Sequence, residues 1–314
     1  MSGPAVILYL GPAEAVPWLE SELGGSYAVR RVEPAVEAVE AALPSAVVVL
    51  DASMKVPLTA ERLALAPGLR LVITATTGAD HIDKAHLDQR SVPLLTLKTE
   101  REVLAKVNAA AELSWALLMG CARKLRSASA HVTAGGWDRT LFPGPMLRGK
   151  QLGIVGLGRN GRWCARYGAA FDMHVSAHDP FLSDWPAEIT HLALSDLVEK
   201  SDFLLVHVTY STETHGLLGP DLVARCKPGS IWVNTSRGAI WDEEALVRQL
   251  ESGRLAAVGA DVLTPEPEIG RSPLWQYAKD HDNVLLTPHI GGFSPDALET
   301  VLRHTARRIV RHGA

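Results

Sequence analysis

One segment constrains the fold of this chain more than any other: LGIVGLGRNGRWCARYGAAFDMHVSAHD, residues 152–179. Gly156, Gly158 and Gly161 form a GxGxxG pattern that follows a predicted strand and opens a predicted helix. In a βαβ unit the first glycine permits a tight turn, the second lets the backbone approach a pyrophosphate, and the third lets the helix pack on the strand. The helix N-terminus then presents free N–H groups to the anion. The segment predicts a dinucleotide-binding unit, with a glycine-rich turn that binds no ligand as the alternative.

The second strand of this unit ends at Asp179. This position is close to the spacing of about 20 residues that is typical of a ribose-binding carboxylate in such folds. A carboxylate there accepts hydrogen bonds from the ribose 2′-hydroxyl and repels a 2′-phosphate. Asp179 therefore favours NAD over NADP as the cofactor.

Short apolar runs alternate with segments of helical periodicity along the chain. Runs that are apolar throughout are typical of strands covered on both faces, and strand–helix alternation indicates parallel sheets with right-handed crossovers. At 314 residues, two α/β domains are the natural expectation. The predicted strands are residues 5–10, 45–50, 69–74, 92–97, 151–155, 173–178, 203–207, 230–234, 256–262 and 283–287.

Two helical segments mark the predicted domain boundaries. A long helix is predicted over residues 102–125, at a boundary near residues 99–102. A second boundary is predicted near residue 288, before a terminal helix over residues 294–310. From periodicity alone, the terminal helix either closes the second domain or folds back onto the first.

Charge and cysteine content exclude several classes of protein. The net charge of −4 lacks the basic excess of nucleic-acid-binding proteins, and the arginines of the terminal helix are typical of a solvated face. Lys106 and Glu112 interrupt the most apolar helix, which indicates a core helix and no membrane span, and the N-terminus does not resemble a signal peptide. Three cysteines without a CxxC pair suit a reducing compartment. We expect a cytoplasmic protein that binds neither nucleic acid nor membrane.

Three polar residues follow the carboxyl ends of predicted strands, where ligands of open parallel sheets bind. Arg237 follows SIWVNTS, Glu266 follows GADVLTP and His289 follows NVLLTP. Each has an ordinary interpretation as a surface or loop residue. Together they suit a nicotinamide-dependent reaction, because histidine exchanges a proton near neutral pH, a glutamate orients its ring, and arginine pairs with a carboxylate.

The stretch LLTPHIGGF explains how such a histidine could be held. Pro288 restricts the backbone as it leaves the strand, and Gly291 with Gly292 allows the backbone to pass close to the nicotinamide. We therefore expect His289 to be a proton donor at a fixed height above the ring. The alternative is an ordinary loop histidine.

These motifs together resemble the D-isomer-specific 2-hydroxyacid dehydrogenase family. The resemblance rests on GLGRNG with Asp179, HVTYSTETHGLLG, NTSRGAIWDEEAL, GADVLTPEPE and LLTPHIGG, and it extends over most of the chain, including TTGADHID. It implies a Rossmann NAD-binding domain, residues 99–288, inserted in a flavodoxin-like α/β substrate domain formed by residues 1–98 and 289–314. It also implies a homodimer in which the long helix reaches the partner.

The resemblance implies roles for individual residues. Arg237, Glu266 and His289 correspond to the catalytic residues of the family, and Asp261 to an aspartate near the nicotinamide carboxamide. The backbone at Thr77 and Gly78 corresponds to the cradle for the substrate carboxylate, with Arg237 and His289 as the other substrate contacts. Residues implied to contact the cofactor are Thr77, Gly156, Gly158, Arg159, Asn160, Gly161, Asp179, His207, Val208, Thr209, Thr214, Thr235, Ser236, Arg237, Asp261, His289, Gly291 and Gly292.

The chain departs from the usual family pattern at a few positions. Asn160 replaces an aliphatic residue, Thr209 a proline and Trp241 a valine. None of these changes removes a chemical group that the reaction needs, so they bear on the substrate and not on the reaction. Formate dehydrogenases are relatives, but they carry glutamine at the position of Glu266, which disfavours that activity here.

The sequence therefore predicts an NAD-dependent reductase of small 2-oxo acids. It would yield a D-2-hydroxy acid, with His289 as the acid/base group. The alternative from another class is a dinucleotide-sensing binding protein similar to the corepressors of the family. Those relatives carry additional regulatory tails, which are not expected in this sequence.

Overall fold

The computed structural model describes residues 4–313, which divide into two compact units. Unit 1 comprises the described residues up to Val107 together with those from Gly292 onward, and unit 2 comprises Asn108–Gly291. Each unit is built around one parallel sheet. The predicted fold class, a Rossmann domain inserted in a flavodoxin-like α/β domain, is confirmed.

The sheet of unit 1 has the strand order β2-β1-β3-β4-β5. This is the 2-1-3-4-5 order of flavodoxin-like folds. Its core consists of fully buried side chains such as Ile7, Leu8, Val49 and Leu71. The strands are β1 (Ala5–Leu10), β2 (Tyr27–Val32), β3 (Val48–Asp51), β4 (Leu71–Thr74) and β5 (Leu94–Leu95).

The sheet of unit 2 has the strand order β12-β11-β10-β9-β6-β7-β8. Counted within the unit, this is the 3-2-1-4-5-6 order of dinucleotide-binding folds extended by one strand. Its strands are β6 (Gln151–Val155), β7 (His174–His178), β8 (Thr190–His191), β9 (Phe203–Val206), β10 (Ser230–Asn234), β11 (Leu255–Ala260) and β12 (Val284–Leu286).

Helices connect the strands of both sheets, as parallel pairing requires. In unit 1 they are α1 (Val16–Leu23), α2 (Val36–Ala42), α3 (Ala60–Ala64), α4 (Lys84–Gln89) and α5 (Arg101–Leu104). In unit 2 they are α6 (Ala109–Ala122), α7 (Leu125–Thr133), α8 (Arg159–Ala170), α9 (Leu194–Lys200), α10 (Pro220–Ala224), α11 (Glu243–Glu251) and α12 (Pro273–Ala278). The terminal helix α13 (Pro295–His312) belongs to unit 1. Among residues 4–313, no helix is long and apolar enough to cross a membrane.

Each predicted apolar run overlaps a strand, but β2 was not predicted. Its sequence, YAVRRV, is partly exposed and includes the exposed residues Arg30 and Arg31. Because β2 is an edge strand, it is not covered as the central strands are, so it lacks their continuous apolar pattern. The two-residue strand β8, also at an edge, was missed for the same reason.

The prediction of one long helix over residues 102–125 was wrong. The segment contains α5, a break, and α6, and Lys124 then adopts a left-handed conformation with φ 49° before α7 begins. The break falls where the chain passes from unit 1 to unit 2, between Val107 and Asn108. Both helices bury apolar side chains, such as Val103 in α5 and Leu117 in α6, so apolar content alone does not mark the break.

The predicted domain boundaries also differ from the observed division. The first lies at 107/108 instead of 98/99, because Glu100, just before α5, is bound by His304 (2.7 Å) and Arg308 (3.4 Å) of α13. The second lies at 291/292 instead of 288/289, so the predicted substrate-domain residue His289 belongs to unit 2.

The sequence suggested that the basic face of α13 is solvated. In the structure, part of this face forms ion pairs with α1. Arg303 and Arg307 both bind the carboxylate of Glu22 on α1, at 3.2 and 2.7 Å. The hydrogen bond from Arg307 is the largest influence that holds the pKa of Glu22 below its ordinary value. These pairs and the buried apolar face of α13 attach the terminal helix to unit 1.

Candidate functional site

The loops that follow the strands of unit 2 leave the same edge of the sheet, because all its strands are parallel. Most of the predicted site residues lie in these loops. Gly156 to Gly161 follow β6, Asp179 follows β7, residues 207–214 follow β9, residues 235–237 follow β10, Asp261 and Glu266 follow β11, and His289 follows β12.

The glycine loop depends on Gly156 at its start. Gly156 has φ 91° and donates its N–H to the carbonyl of His178, at 2.8 Å. A Cβ atom on Gly156 would lie 2.8 Å from the carbonyl oxygen of His207. Both the positive φ and the lack of space require glycine at this turn.

The other two glycines of the motif differ in the space around them. A Cβ atom on Gly161 would lie 2.1 Å from the carbonyl oxygen of Gly156, so α8 packs tightly on the loop at this position. A Cβ atom on Gly158, the N-cap of α8, would meet no heavy atom within 4 Å. The N-terminus of this 12-residue helix is thus open beside Gly158, and this arrangement fits the pyrophosphate of a dinucleotide.

Asp179 is tied to the glycine loop. Its Oδ2 accepts the N–H of Leu157 at 2.9 Å, and its Oδ1 accepts the N–H of Phe181 at 3.0 Å. Each carboxylate oxygen can accept a further hydrogen bond. The side chain is only partly buried, so it can serve the ribose contact predicted for it while also fixing the loop.

Two further predicted cofactor residues carry buried oxygen atoms that lack a hydrogen-bond partner among the described residues. They are Oδ1 of Asn160, in the first turn of α8, and Oγ1 of Thr235, just after β10. Unpartnered buried polar atoms are uncommon in folded proteins and suggest a missing partner. Both atoms fit a cofactor that would bind along this edge of the sheet.

Other predicted cofactor residues bind the protein itself. Ser236 Oγ donates to the carbonyl of Val206 at 2.8 Å, and Thr214 Oγ1 donates to the carbonyl of Thr209 at 2.7 Å. These bonds shape the loops after β9 and β10.

Two more of the predicted cofactor residues lie near these loops and the glycine loop. Val208, after β9, is partly buried. Arg159 is the first residue of α8, and burial lowers the pKa of its guanidinium.

The His207 ring contacts the protein interior. Its Nε2 lies 3.2 Å from Cys164 Sγ on α8 and 3.5 Å from Ser114 Oγ on α6. Burial, with a smaller effect from the charge of Arg159, lowers the pKa of His207 from 6.5 to about 4. Burial also raises the pKa of the Cys164 thiol to about 12, so both groups are neutral at neutral pH.

Glu266 and His289 meet directly, as the sequence suggested. His289 Nδ1 lies 2.7 Å from Glu266 Oε2, and both side chains are 31% exposed. Glu266 Oε1 accepts the N–H of Leu263 at 2.6 Å. The carboxylate therefore fixes the ring through Nδ1, while the ring remains accessible to a small molecule.

Asp261 holds the backbone that carries His289. Its buried carboxylate accepts hydrogen bonds from Thr287 Oγ1 (2.6 Å), Ile290 N–H (2.8 Å) and Gly291 N–H (2.7 Å). Its backbone carbonyl accepts the His289 N–H at 2.9 Å. Burial raises the pKa of the Asp261 carboxyl, and the three hydrogen bonds act against this effect.

The two glycines after His289, predicted to lie close to the nicotinamide, have different surroundings. A Cβ atom on Gly291 would lie 3.0 Å from Asp261 Oδ2, so this glycine allows the backbone to approach the aspartate. Gly292 already belongs to unit 1, and a Cβ atom there would meet nothing within 4 Å. The left-handed residue of the segment is His289 itself, with φ 54°.

The residue after Arg237, Gly238, contacts the loop that carries Glu266. Arg237 Nη1 donates to the carbonyl of Ser236 at 2.8 Å. A Cβ atom on Gly238 would lie 2.3 Å from the carbonyl carbon of Leu263, so the backbones of the two segments are in close contact. Thr77 and Gly78 lie in unit 1, in a turn after β4 where Thr76 Oγ1 donates to the Gly78 carbonyl at 2.7 Å.

Sequence reasoning missed Glu243, a buried acid that binds the loop carrying Glu266. Glu243 and Glu244 both begin α11, where acidic residues are common, yet Glu243 is buried and Glu244 exposed. The available signal is periodicity, because Glu243 shares the buried helix face with Leu246 and Leu250. Among residues 4–313, no group of three or more His, Cys, Asp and Glu side chains is arranged to hold a metal ion.

Comparisons with known proteins agree with these motifs. A family model described as "D-isomer specific 2-hydroxyacid dehydrogenase, NAD binding domain" matches residues 115–291. The chain is 36% identical over 301 residues to D-3-phosphoglycerate dehydrogenase of Mycobacterium tuberculosis, an alignment that covers 95% of this chain and 54% of that relative. The chain thus spans about half the length of that relative.

A shorter relative and a solved structure match over most of their length. Hydroxypyruvate reductase of Thermotoga maritima is 33% identical over 258 residues, covering 81% of this chain and 80% of the relative. The crystal structure of D-lactate dehydrogenase from Aquifex aeolicus, complexed with NAD and lactic acid, matches with a TM-score of 0.83 and 25% identity. That match covers 98% of this chain and 96% of the other.

Proposed function

The chain belongs to the D-isomer specific 2-hydroxyacid dehydrogenase family, and from this membership we propose that it reduces small 2-oxo acids to D-2-hydroxy acids with NADH. The observation that carries the proposal is the 2.7 Å contact between His289 Nδ1 and Glu266 Oε2. It lies beyond the carboxyl ends of β11 and β12, on the ligand-binding edge of a Rossmann sheet.

The cofactor would be held by the glycine loop, Asp179 and the loops after β9 and β10. The open side of Gly158 and the unpartnered oxygens of Asn160 and Thr235 support this assignment. Asp179 favours NAD over NADP, because its carboxylate repels a 2′-phosphate. When bound, NADH supplies the hydride that reduces the substrate carbonyl.

His289 would donate the proton to the carbonyl oxygen. Glu266 accepts the hydrogen bond from Nδ1 and thereby leaves Nε2 as the nitrogen that transfers the proton.

Arg237 would bind the carboxylate of the substrate. Its planar guanidinium matches a carboxylate in two parallel hydrogen bonds and also stabilises negative charge that develops on the neighbouring oxygen. On the basis of the family resemblance, we also assign the backbone at Thr77 and Gly78 to binding of a substrate carboxylate.

The first test is a screen of 2-oxo acids with NADH and with NADPH, followed by loss of reduced-cofactor absorbance. We expect turnover of at least one 2-oxo acid and faster rates with NADH. The His289→Ala variant should lose about 10²- to 10⁴-fold in kcat, the usual contribution of a general acid, and should bind NADH as the wild type does.

The matched control is His281→Ala, which removes an exposed histidine of the same unit. It should leave kcat unchanged. Wild-type activity in His289→Ala would refute the role of His289. Binding of NADH without turnover of any 2-oxo acid would point instead to a dinucleotide-sensing protein.

We also propose that the protein is a cytoplasmic homodimer. Several large apolar side chains between residues 125 and 146 are exposed, with Trp137 at 90% and Met146 at 76%. Large exposed apolar side chains grouped along one segment are typical of an interface, and a second copy of this chain would cover them. Three buried, unpaired cysteines suit a reducing compartment.

A further inference from the structure

The carboxyl group of Glu243 lies buried at the start of α11, with 6% of the residue exposed. It accepts three hydrogen bonds. Oε1 accepts the Thr264 N–H at 2.8 Å, and Oε2 accepts the Ser272 hydroxyl and the Leu274 N–H, the latter at 3.4 Å. One carboxyl group therefore binds both ends of the loop that runs from Leu263 to Leu274.

This loop carries Glu266. Two successive N–H groups at its beginning bind two different carboxyl groups, because Leu263 donates to Glu266 Oε1 and Thr264 donates to Glu243 Oε1. A shift of Thr264 away from Glu243 would therefore also move the neighbouring Leu263 N–H, which orients Glu266. Since Glu266 Oε2 binds His289 Nδ1, the shift would reach the imidazole ring.

The segment from Arg237 to Glu243 is attached to the same loop. Its Gly238 packs against the backbone carbonyl of Leu263 and the side-chain hydroxyl of Thr264, with no room for a Cβ atom. Asp242 caps α11 by accepting the Ala245 N–H at 2.7 Å, which fixes the position from which Glu243 extends. Glu243 thus joins the segment that carries Arg237 to the loop that carries Glu266.

We propose that Glu243 is a positioning residue for the acid/base pair, and that it acts by holding the Leu263–Leu274 loop so that Glu266 faces His289. The proposal deepens the function proposed above and rests on it for the role of the pair. Glu243 itself touches neither His289 nor the reacting groups in this assignment.

The chemistry of the site supports a specific role for a carboxylate here. Burying an acid is unfavourable unless it is fully hydrogen-bonded, and burial raises the pKa of Glu243 above its ordinary value. An apolar residue would fill the same space at lower cost but could not bind three donors at two ends of a loop. Its neighbour Glu244 is exposed and pairs only loosely with Arg248, at 3.9 Å.

The decisive experiment compares Glu243→Gln with Glu244→Gln, the matched control one residue along the same helix. Glutamine keeps the size of the side chain but has one acceptor oxygen in place of two. In Glu243→Gln we expect kcat to fall by about 10- to 100-fold with the Kd for NADH unchanged, because misplacement of a catalytic group affects the chemical step. In Glu244→Gln both quantities should stay at the wild-type level.

A second readout does not depend on turnover. The ¹⁵N resonances of the His289 ring, recorded by NMR on the full protein and assigned with His289→Ala, report the hydrogen bond to Glu266. In Glu243→Gln they should move towards those of Glu266→Gln, and in Glu244→Gln they should not move. If the wild type reduces no 2-oxo acid, the proposed function fails, while these resonances still decide the role of Glu243.

A second variant covers the case in which Glu243→Gln does not fold. Ser272→Ala keeps the carboxyl group and removes one of its donors, so it should change kcat and the ring resonances in the same direction but less. A folded Glu243→Gln variant with wild-type kcat and wild-type ring resonances would overturn the proposal. Wild-type values of both in Ser272→Ala would overturn it if Glu243→Gln is unfolded.

Discussion

At the scale of single residues, two buried carboxyl groups organise the loops around the acid/base pair. Asp261 accepts hydrogen bonds from the Thr287 hydroxyl and the Gly291 N–H, and Glu243 binds the loop that carries Glu266. The bonds from Asp261 hold His289 at φ 54°, a conformation that costs a non-glycine residue about 1–3 kcal/mol. Strain of this kind persists where surrounding contacts enforce it, which is common at functional sites.

Titration of His207 predicts how stability depends on pH. The unfolded His207 binds a proton near its ordinary pKa of 6.5, whereas the folded residue stays neutral down to about pH 4. The unfolded state therefore gains a proton first as the pH falls, and stability should decline between pH 6.5 and 4 and be level above that range. The contribution is at most about 3 kcal/mol.

Denaturant unfolding at several pH values measures this contribution. The wild-type free energy of unfolding should fall more steeply between pH 6.5 and 4 than that of His207→Asn. His281→Asn, which changes an exposed histidine, should follow the wild type. Parallel curves for the wild type and His207→Asn would contradict the assignment.

At the scale of elements, the turn between β6 and α8 contains one glycine that folding requires and one that only cofactor binding requires in our proposal. Gly161 is needed because α8 packs on the carbonyl of Gly156, and this contact can be recognised from the GxGxxG spacing. Gly158 faces open space and has no such packing role. Two glycines three residues apart therefore have different physical reasons to be glycine.

Alanine substitutions test this difference directly. Gly161→Ala places a methyl group against the backbone, so we expect it to lower the free energy of unfolding by at least about 1–3 kcal/mol. Gly158→Ala should leave stability unchanged and weaken NADH binding, because the methyl group would occupy space beside the N-terminus of α8. Thermal unfolding and NADH fluorescence titration measure the two effects. Equal loss of stability in both variants would contradict this division.

The elements themselves were largely predictable. Central strands such as β9 and β10 are covered on both faces and therefore read as continuous apolar runs. Edge strand β2 and the break between α5 and α6 were not predictable, because each depends on what lies beside the chain in three dimensions. Periodicity indicates which face of a segment is apolar, and it does not indicate where one helix ends in unit 1 and the next begins in unit 2.

At the scale of the whole molecule, the chain leaves unit 1, completes unit 2, and returns to unit 1 through α13. Ion pairs between α13 and Glu22 attach the returning helix to α1. Unit 2 also presents several exposed apolar side chains between residues 125 and 146, for which we propose a second copy of the chain as partner.

The dimer can be tested by sedimentation velocity. The wild type should sediment with about twice the mass of one chain, because burying exposed apolar side chains stabilises association. The double variant Trp137→Ser, Met146→Ser should sediment as a monomer. Phe181→Ser removes an equally exposed aromatic side chain outside the segment and should remain dimeric. A wild-type monomer, or an unchanged double variant, would refute the interface.

The sequence by itself determined the α/β class, the dinucleotide-binding turn, and the pairing of Glu266 with His289. These follow from local patterns, because parallel strands bring residues that follow them to one edge of a sheet. Only the tertiary structure decided that Asp261 holds the histidine loop, that Glu243 is buried while Glu244 is exposed, and that His207 contacts the interior. Such contacts join residues that are distant in the chain. Their energies depend on how deeply each side chain is buried and which way it points, and a local stretch of sequence does not determine either.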